Sequence, residues 1–97
     1  MRKVTRDARY ALIHDKSYSS HNTRVRDGKL ILHSTAIVEK DGLEFILRTG
    51  GWNTPTTRDR LKAFARSCYT QKGQLMLNGE EWDGSPVRVD LHGDFVR

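Results

Sequence analysis

The chain has 97 residues, 36% hydrophobic and 30% charged, which suits one small domain over residues 1–97 and excludes a disordered chain, a collagen-like repeat and a disulfide scaffold. No apolar run approaches the roughly 20 residues of a membrane-spanning helix. The first seven residues have no apolar segment behind their basic side chains, so no secretory signal is expected there. Charge is unevenly spread. Residues 1–72 hold fifteen Lys and Arg against seven Asp and Glu, whereas residues 73–97 hold two against five. A basic body with an acidic end points to an anionic partner or to an intramolecular counter-charge. The single cysteine, Cys68, excludes an internal disulfide, fits a reducing compartment and is expected as a small buried hydrophobe.

In chain order, Thr5–His14 reads as a short helix with Thr5 as its cap, Asp7 in the first turn, and Val4, Ala8, Ala11 and Leu12 on one face. Lys16–Asn22 is polar and reads as a loop into a strand at Thr23–Arg26. Asp27-Gly28 is a strong hairpin dipeptide. The aliphatic run Lys29–Glu39 follows, in which Leu30 and Leu32 alternate but Ile37 falls out of phase, predicting a bulge or a break near Ser34-Thr35. A second turn at Lys40-Asp41-Gly42 leads to Leu43–Arg48, giving an antiparallel meander.

Pro55 stops the sheet. The segment Thr57–Cys68 then reads as an amphipathic helix, with Leu61, Phe64, Ala65 and Cys68 on one face. Thr54 or Thr56 can cap it, Thr56 having capping-box spacing to Asp59. Gln74–Leu77, the Asn78-Gly79 turn, Glu80–Gly84 and Pro86–Leu91 return to strand, with Val87, Val89 and Leu91 expected to face inward. Residues 92–97 read as frayed or packed against a partner. The order predicts an α+β fold: an antiparallel sheet built from hairpins, with two short helices packed on one face.

Four stretches carry a resemblance: Asn22–Val25, Leu30–His33, Gly51–Leu61 and Leu77–Gly84. In these the chain resembles a family of short uncharacterised proteins encoded by tailed bacteriophages and prophages, most specifically in the block Gly-Trp-x-Thr-x-Thr-Thr-x-x-Arg-Leu at Gly51–Leu61. The likeness runs from about Val4 to Val89. It departs from the family pattern at Ser34-Thr35, where a Gly-Asn turn is usual. The resemblance implies a phage origin and expression in the cytoplasm of an infected bacterial host, and it implies no site.

Catalytic patterns are missing. His14, His21, His33 and His92 are scattered without metal-ligand spacing, and there is no nucleophile elbow or Lys-bearing phosphate loop. The expectation is therefore a non-catalytic binding protein with no cofactor and no metal. The sharper possibility lies at the later helix. Thr56 and Thr57 open it with free N–H groups, and Arg58, Lys62 and Arg66 recur every four residues, with Arg60 as a second row. Such a strip suits electrostatic contact with the phosphates of DNA or RNA, and Trp52 can stack a base if it is exposed. Set against this, the threonines can simply cap the helix, the strip can be its solvated face, and Trp52 can close the core. The alternative partner is a host bacterial protein that the chain inhibits or redirects, contacted through Trp82 with its acidic neighbours Glu80, Glu81 and Asp83. Trp82 can equally plug the core under the last hairpin. Pairing of the acidic hairpin with the basic strip of a second copy would give a homodimer, and an edge strand at Val87–Leu91 would need cover.

Overall fold

A computed structural model describes residues 2–97. The first helix, α1 (Lys3–Ile13), is followed by β1 (Tyr18–Ser20), β2 (Thr23–Arg26), β3 (Lys29–Leu32), β4 (Thr35–Asp41) and β5 (Glu44–Leu47). Then come α2 (Pro55–Lys62), β6 (Cys68–Gln71), β7 (Gln74–Leu77), β8 (Glu80–Glu81) and β9 (Val87–Asp90). All pairings are antiparallel, and the strands form two sheets instead of one: a six-stranded sheet ordered β1-β2-β3-β4-β5-β9, and a three-stranded sheet β6-β7-β8. The α+β class stands.

Residues paired across antiparallel strands share a face. Val25, Leu30, Val38 and Leu47 are paired in sequence across the large sheet and all are buried. Thr23, Leu32, Phe45 and Val89 extend that face by two-residue steps. Against it lie Ala8, Ala11 and Leu12 of α1, Leu61 of α2, Phe64 just beyond it, and Cys68, Leu75, Leu77 and Trp82 from the small sheet. Phe45 and Phe64 meet edge to face with ring centroids 5.0 Å apart, a geometry worth about 1 kcal/mol beyond its buried area. Both helices therefore sit on one side of the large sheet.

The β3–β4 connection contains both features that the phase slip allows. The chain turns at His33-Ser34, with His33 in the left-handed region (φ 59°), so a non-glycine residue makes this turn. The bulge itself lies further on: Leu30 pairs with Val38 but Ile31 with Ala36, which leaves Ile37 as the extra residue. Ile37 is buried nonetheless.

Several boundaries differ from expectation. Thr5 is not a cap, because α1 begins two residues earlier with Arg2 at its N-cap and Thr5 is fully buried inside it. β1 falls in the polar stretch read as a loop. Its Ser-rich sequence lacks apolar alternation because it is an edge strand, paired on one side only. The second helix spans Pro55–Lys62, not Thr57–Cys68, and its cap is Thr54, whose Oγ1 accepts from Thr57 N at 3.2 Å. It ends early because tertiary partners claim the backbone groups that a further turn would use. Arg9 Nε donates to Ala63 O at 2.9 Å, and Asn78 Oδ1 accepts from Arg66 N and Ser67 N at 2.8 and 3.2 Å. Leu91 is exposed, contrary to the alternation, since β9 ends at Asp90. The edge of β9 is covered by the chain itself: Phe95 bridges Val89, Val96 N donates to Arg88 O, and Asp90 N to Asp94 O.

Candidate nucleic-acid interface

The six positions singled out on the second helix separate sharply in space. Thr57 is fully buried, its N–H and hydroxyl both engaged with Thr54 Oγ1. Thr56 is half-buried at the helix start. Arg60 is 4% exposed and faces inward. Its Nη1 donates to Thr5 Oγ1 at 2.7 Å and to Asp59 Oδ2 at 2.8 Å, and its Nε to Thr23 Oγ1 at 3.0 Å. Thr5 Oγ1 in turn bonds Asp59. The second basic row is thus an internal clasp between both helices and the sheet.

Arg66 lies beyond the end of α2 and forms a bidentate pair with Asp94, Nε to Oδ1 at 2.9 Å and Nη2 to Oδ2 at 3.1 Å. The guanidinium holds the Asp94 carboxyl below its ordinary range, so this pair is present at neutral pH and is lost as pH falls through that depressed value. Arg58 and Lys62 remain on the surface. Arg58 Nη1 rests on Asn53, donating to Oδ1 at 2.7 Å and to the carbonyl at 3.3 Å. Neither cation has a carboxylate partner among the described residues.

The fold supplies three further cations from α1. Arg2, Arg6 and Arg9 recur at four- and three-residue spacing, which places them along one side of the helix, next to the buried Ala8/Leu12 stripe. Arg6 and Arg9 line a groove of about 440 Å³ with Lys62, and Arg2 and Arg58 line a neighbouring groove of about 370 Å³, again with Lys62. Lys62 is the shared wall. Arg2, Arg6 and Arg9 also lack carboxylate partners among the described residues, because the one acidic residue of α1, Asp7, is taken by Lys3 at 2.7 Å. The signal was in the sequence as the Arg2, Arg6, Arg9 spacing. Its relevance depends on α1 lying beside α2, which local pattern does not reveal.

Two exposed aromatic rings, Tyr10 and Tyr69, border this surface. Tyr10 is 57% exposed and leans on His14, centroids 4.2 Å apart. Tyr69 stands beside the Arg58 groove. Trp52 is exposed and not part of the core, held in a turn by Trp52 N donating to Thr49 O. Cys68 is buried below. Burial pushes its thiol up to about 11, with Arg58 and Lys62 pulling the other way.

The acidic hairpin has the opposite character. Trp82 is buried, and its Nε1 donates to Ser85 O at 2.9 Å. Glu80 is paired with Arg97 at 2.6 Å. Asp83 accepts from Ser85 N and Oγ, bonds that hold its carboxyl below the usual range. Only Glu81 of the four is an exposed side chain without such a partner among the described residues. This hairpin brings together no exposed aromatic anchor.

A protein-family model described as Kyanoviridae Gp96 protein matches residues 1–95. The chain belongs to that family. It is thereby a phage protein, in agreement with the resemblance to phage-encoded proteins, and membership by itself assigns no activity. No curated protein and no solved structure matches the chain significantly. No helix among the described residues is long and apolar enough to cross a membrane, and no group of three or more His, Cys, Asp or Glu residues among them is arranged to hold a metal ion.

Proposed function

We propose that this phage protein binds nucleic acid electrostatically through the surface that α1 and α2 build together. The observation that carries the reading is the convergence of Arg2, Arg6, Arg9, Arg58 and Lys62 on two adjoining grooves, with no carboxylate pairing any of them among the described residues. Lys40, Arg48, Arg66, Arg88 and Arg97 by contrast sit on Asp or Glu, and the cations left unpaired elsewhere among the described residues, Lys16, Arg24, Lys29 and Lys72, line neither groove. A polyphosphate laid along the five cations releases condensed counterions as each charge is neutralised, which is the main driving force of such binding. No Asn or Gln lines either groove, so little base readout accompanies it.

The test is charge reversal with a matched control. Arg6→Glu, Arg58→Glu and Lys62→Glu in one variant should abolish heparin retention and the shift of labelled DNA and RNA at low salt. Arg24→Glu, Lys29→Glu and Lys72→Glu change net charge equally but lie on exposed strand and turn positions away from both grooves. That control should retain most of the binding. Equal loss in both variants, or binding by the first as strong as by the parent, overturns the proposal.

A further inference from the structure

We infer that the groove between α1 and the end of α2 takes a single strand, with a base stacked on Tyr10 while Arg6, Arg9 and Lys62 hold the adjoining phosphates. The inference rests on the proposed function and narrows it to one form of nucleic acid.

Duplex binding by charge alone has no use for an aromatic platform, because the faces of paired bases are already covered by their neighbours. A single strand offers free base faces, and an exposed ring among cations is what it needs. Tyr10 meets both conditions. Over half of it is exposed, in a groove that Arg6, Arg9 and Lys62 also line. Its ring also has a neighbour in place: His14, one helical turn on, packs against it at a 38° interplanar angle, a contact that favours the conformer facing the groove.

The rest of the groove suits a base and its phosphate. Ile13, Ala63 and Ala65 make an apolar floor, against which the edge of a stacked base can rest. Arg9 is fixed through Nε on Ala63 O, which leaves its terminal nitrogens to donate to a phosphate oxygen. Lys62 faces it from the far wall and continues into the second groove, giving the strand a path past the first nucleotide. The volume of about 440 Å³ lies in the range of sites that hold small organic groups, about 300–1,000 Å³.

The experiment measures fluorescence anisotropy of a labelled short oligothymidylate and of an abasic chain with the same number of phosphates. The parent should bind the oligothymidylate about tenfold more tightly, the scale of one base–aromatic stack. Tyr10→Ala should bring the oligothymidylate down to the abasic level without weakening the abasic chain, and Tyr10→Phe should keep the difference. Circular dichroism of each variant checks that the helix is intact. If the parent binds both chains equally, or if Tyr10→Ala keeps the preference, the stacking assignment is overturned while the electrostatic reading stands. If the parent binds neither chain at low salt, both are overturned.

Discussion

Arg60 Nη1 donates to Thr5 Oγ1 at 2.7 Å, joining residues 55 positions apart and tying α2 to α1. Its Nε reaches Thr23 on the large sheet, and its charge is met by Asp59 at 2.8 Å. The planar fork of a guanidinium reaches these partners from two separated nitrogens, which the single nitrogen of an ammonium cannot. Arg60→Ala should therefore cost about 3 kcal/mol, since it leaves Asp59 and two buried hydroxyls short of partners. Arg60→Lys should cost roughly half of that. Urea denaturation measures both. In the folded Arg60→Lys protein nucleic-acid affinity should be unchanged, because this cation faces inward.

That clasp also shows where sequence reasoning stopped. The meander, the hairpin turns and the apolar stripe of α1 were legible because each depends on neighbours a few residues apart. The position of Arg60 was not. At helical spacing it is as good a surface cation as Arg58, and only contact with Thr5 and Thr23 turns it inward. The length of α2 failed for a similar reason. Local pattern favours continuation through Cys68, but Arg9 and Asn78 compete from distant segments for the backbone groups of Ala63, Arg66 and Ser67. Of the two tryptophans, each of which could have closed the core, only Trp82 does so, because burial of an aromatic depends on what packs over it. Trp82 joins the core next to the small sheet, its backbone N–H donating to Leu75 O, whereas over half of Trp52 is open to solvent.

Binding should weaken with salt in proportion to the number of phosphates contacted. On a single strand each lost contact lowers the slope of log K against log salt by about 0.7. Lys62→Ala should show that decrement, being the wall common to both grooves. Arg66→Ala should leave the slope unchanged, because Asp94 already occupies its guanidinium. A titration across three salt concentrations separates the two variants.

Asn78 joins three segments. Its Oδ1 accepts from Arg66 N and Ser67 N, and its Nδ2 donates to Gly93 O at 2.7 Å. Its backbone is also left-handed, φ 52°, a conformation costly for alanine. Asn78→Ala should destabilise the protein by about 2–4 kcal/mol. Asn53→Ala, which removes only the exposed rest under Arg58, should cost less than about 0.5 kcal/mol. Thermal denaturation of the two variants side by side checks the contrast.

The buried thiol beneath the interface makes stability fall on the alkaline side. Cys68 is 5% exposed, and burial raises its pKa from 9.0 to about 11. The folded state thus holds this proton longer than the unfolded chain does. Its contribution is complete below pH 9.0 and is lost as pH rises towards about 11, by an amount on the order of 2–3 kcal/mol. Comparing denaturation of the parent with Cys68→Ala isolates that loss from the titration of lysines and tyrosines, which both proteins share. Iodoacetamide at pH 8 should label the thiol only after denaturant is added. Because Arg58 and Lys62 are the cations that favour the thiolate, Arg58→Glu with Lys62→Glu should leave the onset of the alkaline loss where the unfolded thiol titrates but make the loss larger and extend it to higher pH. Two of the three substitutions in the binding-deficient variant would then be read from inside the fold.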